Sequence, residues 1–301
     1  MNQHCLVNNF SIFKLDGRPL ICGGCIELAA GCSPTDKCFT YDALADTWVD
    51  SGSMSGYKFE VASDYTASFG LAMADASNDA LEVTEDGINF ELIADYPNPD
   101  VADYVDSGCL VILDEKNLFL AGGYTYDEGT SRAYIYNKDA NMWREVGNMA
   151  EPREYHSCGL APSSSGSGYE VIVVGGYGTE TARELKKSIE IFSIESEIFL
   201  PGWYAQCLYT FTIKTEMLFF AEINITFGIQ GAYDIHVDDT FVMVGGYLND
   251  FEGDGSYALS DKLIKYLPES GTFMELPGKL KIPRHSTTAI LVDRSIFPPC
   301  P

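Results

Sequence analysis

The chain has 301 residues, 46% of them hydrophobic, with 28 glycines, 18 tyrosines and a formal net charge of −25. Such a composition belongs to a globular chain rich in strands and turns, and it excludes disordered and collagen-like classes. With 19 Lys and Arg against 44 Asp and Glu, the mean field repels nucleic acid and anionic membranes, which leaves cationic partners or metal ions as the favoured ligands.

The opening segment MNQHCLVNNFSIFKL has neither the charged lead nor the apolar run of a signal peptide, and Cys5 to Leu15 reads as a strand. Next comes CGGCIELAAGCSPTDKC, which crowds Cys22, Cys25, Cys32 and Cys38, four of nine cysteines, into one stretch. Local disulfides, buried free thiols and zinc are the three readings. Disulfides rank first: the sequons at Asn9 and Asn224 fit an oxidising compartment, whereas only Cys22 and Cys25 have the close spacing of zinc ligands. On that ground an extracellular location is slightly favoured over a cytoplasmic one.

Four short apolar runs end at a glycine pair: Gly23-Gly24, Gly122-Gly123, Gly175-Gly176 and Gly245-Gly246. The first gap is about double the next, and GLAMADA places a degenerate pair, Ala74-Asp75, midway, so the period is about 50 residues. After each pair, an aromatic or branched residue is followed seven positions on by an aromatic: Tyr41 and Trp48, Val83 and Phe90, Tyr136 and Trp143, Phe192 and Phe199, Tyr266 and Phe273. That spacing sets two side chains opposite each other on one face of a tight hairpin. For the second couple the midpoint is Asp86-Gly87, the dipeptide of a two-residue turn with positive φ at both positions. Each repeat then reads as four short strands; in the third these are CLVILD, LFLAGG, AYIYNKD and MWREVG. Unbroken apolar runs such as Val171 to Val174 suit a strand covered on both faces.

With these marks, and with Met149, Pro152, Arg153 and His156 in YNKDANMWREVGNMAEPREYH, the chain resembles the kelch repeat family from about Pro19 to Val292. The resemblance implies an all-β fold, a β-propeller of five or six four-stranded blades whose ring closure is left open. Blades are expected at 4–54, 58–95, 107–149, 156–203 and 231–278 of a single domain, followed by a closing strand at 285–293. Residues 204–230 exceed the repeat. They read as an inserted hairpin or as translated intron, the latter preferred because unmatched apolar inserts expose surface. Within them Met217 to Phe227, the most apolar stretch of the chain, is short and holds Glu222, so no membrane insertion is expected.

Three histidines, His156, His236 and His285, fall on expected innermost strands and raise the alternative of a metal-dependent, oxidase-like enzyme using the central channel. Packing is the plainer role, since His156 and His285 follow a Pro-Arg step where kelch repeats commonly carry histidine. The stretch DFEGDGSYALSD offers Asp250, Glu252, Asp254 and Asp261 at calcium-loop spacing. Glu252 and Asp261 depart from that pattern and no helices flank it, so a solvated acidic loop is preferred over an extracellular calcium- or carbohydrate-binding module. Gly-x-Ser-x-Gly, phosphate-loop and paired Cys/His signatures are absent from the sequence, and no catalytic residue or cofactor is expected. The resemblance implies instead a non-catalytic scaffold that binds another protein through loops between strands and between blades. Tyr126, Arg153, Tyr155, Tyr177, Arg183, Lys186 and Tyr247 are the expected contacts, because Tyr and Arg join large contact area to a polar tip.

Overall fold

The structure, a computed structural model, describes residues 7–8, 11–28, 31–57, 62–75, 80–95, 107–125, 128–163, 166–178, 185–200, 228–230, 233–237, 240–249, 257–281 and 283, some of them by backbone alone. Among these residues every helix-or-strand element is a strand. Five four-stranded antiparallel sheets form a five-bladed β-propeller. Blade 1 holds Ser11–Leu15, Arg18–Cys22, Lys37–Asp42 and Thr47–Ser53; blade 2 holds Ala62–Thr66, Gly70–Asp75, Ala80–Thr84 and Glu91–Asp95. Blade 3 holds Cys109–Ile112, Asn117–Ala121, Ala133–Asn137 and Met142–Glu145; blade 4 holds Ser157–Pro162, Tyr169–Val174, Ile189–Ser193 and Ile198–Leu200. Blade 5 holds Tyr233–Val237, Thr240–Val244, Lys262–Leu267 and Thr272–Lys279.

In each sheet the strands follow chain order, and first strands of neighbouring blades lie side by side. Ser63 Oγ donates to Ser11 Oγ at 3.0 Å, and the Ile112 amide donates to Asp64 Oδ2 at 2.7 Å, both across a blade boundary. The first strand is therefore innermost. Among the described residues no hydrogen-bonded strand pair joins blade 5 to blade 1. The expected closing strand at 285–293 lies outside the described residues, as does most of 204–230; of the latter, Gly228–Gln230 pairs with Tyr247–Asn249.

The second strands account for the unbroken apolar runs. Leu118 and Leu120 join Leu81 and Val83 at the boundary with blade 2, whereas Phe119 and Ala121 join Val171, Val173 and Phe192 at the boundary with blade 4. One blade further on, Ile172 and Val174 of the second strand turn toward Phe241 and Met243 of blade 5. The period-two alternation of a strand here feeds two dry interfaces, not one core and one wet face.

Four of the five aromatic couples face each other in register: Tyr41 with Trp48, Tyr136 with Trp143, Phe192 with Phe199 and Tyr266 with Phe273. Their ring centroids stand 5.5, 5.3, 5.2 and 5.1 Å apart. Phe192 and Phe199 also reach Phe119 of the preceding blade, at 4.5 and 6.2 Å, so the couple wedges one sheet onto the next. The loop inside each of these couples ends on a left-handed residue: Asp46, Asn141, Glu197 or Gly271. Two of these residues accept the hydroxyl of their own tyrosine, Tyr41 to Asp46 Oδ1 at 2.5 Å and Tyr136 to Asn141 Oδ1 at 2.9 Å. Aromatic and turn thus fix one another.

The second repeat corrects the sequence expectation. Val83 packs at the boundary with blade 3 and Phe90 at the boundary with blade 1, so this couple does not share a face. Nor is there a two-residue turn: Gly87 has φ 71°, but Asp86 is not left-handed. Asp86 Oδ1 accepts the Asn89 and Ile88 amides, both at 2.8 Å. Those two bonds, then the Asn89 side chain, hold the Asp86 carboxyl down at a pKa of about 2. An aspartate that captures the backbone two and three residues ahead closes a wider loop. The frame has slipped by one residue, which turns every side chain to the other face. Thr84, buried and two residues after Glu82, stands where the other repeats carry their first aromatic.

Two disulfides are present among the described residues. Cys22–Cys38 bridges directly paired residues of the second and third strands of blade 1. Cys109–Cys158 lies outside the crowded stretch that pointed to disulfides, and it joins the first strands of blades 3 and 4 across 6.0 Å between Cα atoms. Its two cysteines are 49 residues apart, close to one repeat, and sit one register position apart: Cys109 pairs with Ala121, one residue before its glycine pair, and Cys158 with Val173, two residues before its own. The side chains of Cys25 and Cys32 lie outside the described residues.

Candidate functional site

Because the sheets share one strand order about one axis, their second-to-third loops emerge at the same end as the connectors between blades. All eight residues of the glycine pairs have φ between 63° and 102°, which turns the chain sharply off the second strand. The chain then pairs with itself again. Tyr124–Thr125 pairs with Glu128–Gly129 in blade 3. In blade 1, Cys25–Leu28 pairs with Gly31–Pro34 and with Val7–Asn8. In blade 5, Tyr247–Asn249 pairs with Tyr257–Leu259 and with Gly228–Gln230, and in blade 4 Tyr177 bridges both Leu185 and Glu154. In blades 1, 4 and 5 the residue after the glycine pair therefore meets the segment that leads into its own blade's first strand. Loops whose backbone groups are satisfied in this way are positioned, not loosely tethered.

The segment 153–158, which enters blade 4, is tied at nearly every residue. The Arg153 carbonyl accepts the Gly123 amide at 2.8 Å, and the Arg153 amide donates to Thr130 O at 3.1 Å, both in the loop of blade 3. Glu154 exchanges backbone bonds with Tyr177 in the loop of blade 4, at 3.2 and 2.8 Å. Tyr155, left-handed at φ 52°, donates its amide to Ser107 O at 2.9 Å, at the entry to blade 3. His156 is buried against both blades: a Cβ on Gly122 would stand 2.4 Å from its Cε1, and one on Gly176 would stand 2.8 Å from its Cβ. Cys158 carries the bridge to Cys109.

Arg153, expected among the contacts, is instead fully enclosed. Its Nε and Nη2 donate to Glu190 Oε1 at 3.2 and 3.1 Å, its Nη1 to Gly175 O at 2.7 Å, and its Nη2 to Ser188 Oγ at 2.6 Å. The guanidinium fork fills its donors inward and offers none to a partner. Glu190 also accepts the Ala150 amide at 2.6 Å, just after the buried Met149 of blade 3. Glu82 repeats the device at the boundary of blades 1 and 2, accepting the Ser55 amide at 2.6 Å just after the buried Met54 of blade 1. Sequence reasoning missed both glutamates. The available signal was an acid in the middle of an apolar third strand, Leu81-Glu82-Val83 and Ile189-Glu190-Ile191, where a charge persists only if it is paired.

The remaining expected residues divide by place. Tyr155, Tyr177, Tyr247 and Lys186 are half-buried at the loop end, and Lys186 Nζ donates to Glu151 Oε1 at 3.2 Å. Tyr126 and Arg183 lie outside the described residues, as do Asp250, Glu252 and Asp254; Asp261 Oδ2 is paired with Lys279 Nζ at 3.5 Å. Of the three histidines, His285 and the side chain of His236 are likewise outside the described residues. No family model matches this chain, and no curated protein matches it.

His156 carries a pH signature. Burial, reinforced by the nearby Arg153 charge and partly offset by the Ala121 carbonyl, pushes its pKa down to about 3. In the unfolded chain the same imidazole titrates near ~6.5. The unfolded state therefore takes up the proton first, so this contribution is complete above about pH 6.5 and is lost as pH falls toward 3. We expect denaturation midpoints of the wild type to fall between about pH 7 and about pH 5, with a slope approaching ~1.4 kcal/mol per pH unit, and His156→Gln to remove that slope. Equal slopes for the two proteins would reject this assignment.

Proposed function

We propose that the chain is a non-catalytic, kelch-type scaffold that binds another protein at the loop end of its propeller. The observation that carries this reading is the second layer of backbone pairing there, which fixes the loops after the glycine pairs and places Tyr124, Tyr177 and Tyr247 at matching positions. All three tyrosines are half-buried, so part of each stays accessible, and tyrosine is among the residues that contribute most at interfaces. The charge of −25 favours a cationic segment of that partner over nucleic acid or an anionic membrane. The two disulfides support an oxidising compartment, and within that class we place the protein outside the cell.

Cross-linking capture with the full chain tests the reading. Wild type should enrich one protein reproducibly, and the Tyr177→Ala/Tyr247→Ala variant should lose that enrichment by about tenfold or more while its thermal unfolding is unchanged. Equal capture by the two chains would reject the loop end as the binding face. Stoichiometric copper or iron in the purified protein, lost in His156→Ala, would move the assignment to a channel-face enzyme instead.

A further inference from the structure

The two disulfides differ in what depends on them. Cys22 and Cys38 already face each other within a continuous ladder, so cutting their bond leaves blade 1 paired. Cys109–Cys158 is the sole covalent tie between two blades, apart from the connecting chain, among the described residues. It lies directly beneath the loop end: Cys109 pairs with Ala121, next to Gly122, and Cys158 pairs with Val173, two residues before Gly175. On the outer side the same boundary is held separately, by Gly147 N donating to Glu197 O at 3.0 Å and by the ion pair of Arg144 with Glu197. The boundary thus has an inner staple and an outer pivot, with the apolar interface between them.

We propose that Cys109–Cys158 is a redox-sensitive clasp that fixes the loops of blades 3 and 4 relative to one another, so that its reduction releases the face on which a partner docks. The regulatory consequence rests on the loop-end binding proposed above; the clasp itself does not. The chemistry needs a dithiol reductant. One of its thiolates attacks one sulfur, breaking the bridge, and the other cysteine departs as a thiolate that takes up a proton. The second reductant thiol then frees the remaining cysteine while closing the reductant's own disulfide, so two electrons pass from dithiol to protein. With the bridge cut, the bonds of segment 153–158 to the two loops are left to hold the inner edge of the boundary alone, and they open more often. The loops then move with their own blades about the outer pivot. Cys109 and Cys158 are 5% and 3% exposed, so attack requires the inner edge of the boundary to part first. Parting is easier there than in blade 1, where Cys22 and Cys38 are both 0% exposed inside one ladder.

Native-state hydrogen exchange on the partner-free full chain, before and after dithiol treatment with free thiols counted by alkylation, tests the clasp independently of any binding. The expected result is selective reduction of Cys109–Cys158. Amides of Gly123, Thr130, Tyr155 and Tyr177 should then exchange at least about tenfold faster, while those of Leu71 to Ala74 in blade 2 and Val242 to Val244 in blade 5 hold their protection. The Cys109→Ser/Cys158→Ser variant should reproduce that pattern without reductant, and Cys22→Ser/Cys38→Ser should not. Unchanged protection after reduction, loss of protection in all blades together, or a bridge that resists dithiol until the protein unfolds would each overturn the proposal. Intact clasp behaviour combined with equal capture by the tyrosine variant would leave the clasp standing and remove the binding reading.

Discussion

Replacing Gly176 by valine is expected to lower stability by roughly 4 kcal/mol, measured by guanidinium unfolding followed through tryptophan fluorescence. Two separate terms add. At φ +85° a side chain of L configuration is disfavoured, and more so when it is β-branched. A Cβ there would also stand 2.6 Å from the Glu154 carbonyl oxygen and 2.8 Å from the His156 Cβ. The first of these obstacles is backbone, held by the exchange of bonds between Glu154 and Tyr177, and cannot swing aside as a side-chain tip would. Gly17 separates the terms, because it has φ +80° but meets nothing within 4 Å. Gly17→Val should therefore cost only the conformational part, about 1–2 kcal/mol. If the two variants lose equal stability, close approach is not what the glycine pair is for, and positive φ alone explains it.

That contrast bears on how much of the structure was legible beforehand. The apolar runs, the glycine pairs and the seven-residue couples announce four-stranded blades because each obeys a local rule: strand alternation, positive φ at glycine, cross-strand pairing. The same rules failed at the second repeat, where the self-capping of Asp86 lengthened a loop and moved the frame by one residue. Spacing counts residues along the chain, and it does not register a loop that closes differently. The candidate site was less legible. Loop positions followed from the repeat, but Cys109 and Cys158 carry no local sign of pairing, since each is a single cysteine in an apolar strand a full repeat away from the other. Arg153 misled for a related reason. An arginine in a connector reads as exposed until the glutamate that encloses it, Glu190, is brought from the next sheet.

Removing that arginine should have the other large effect. Arg153→Met keeps much of the side-chain volume but takes away the guanidinium donors that face Glu190, whose side chain is only 9% exposed. A buried charge pair broken on one side typically costs 3–5 kcal/mol, because the surviving charge stays desolvated without its partner. Here the Ala150 and Glu151 amides still donate to Glu190, at 2.6 and 3.3 Å, so about 3 kcal/mol, the low end, is expected. The Gly175 and Ser188 carbonyls also lose a donor at the same stroke. Adding Glu190→Gln to Arg153→Met tests the cause: neutralising the orphaned carboxylate should recover on the order of 1–2 kcal/mol, although Glu190→Gln alone destabilises. A double variant as unstable as the sum of the singles would mean that Arg153 acts by filling space, not by answering a charge. The two accounts also differ in where the damage falls. Loss of charge pairing should loosen the connector after Met149, and with it the Gly123 and Thr130 bonds to the Arg153 backbone, before the apolar interface between blades 3 and 4 gives way.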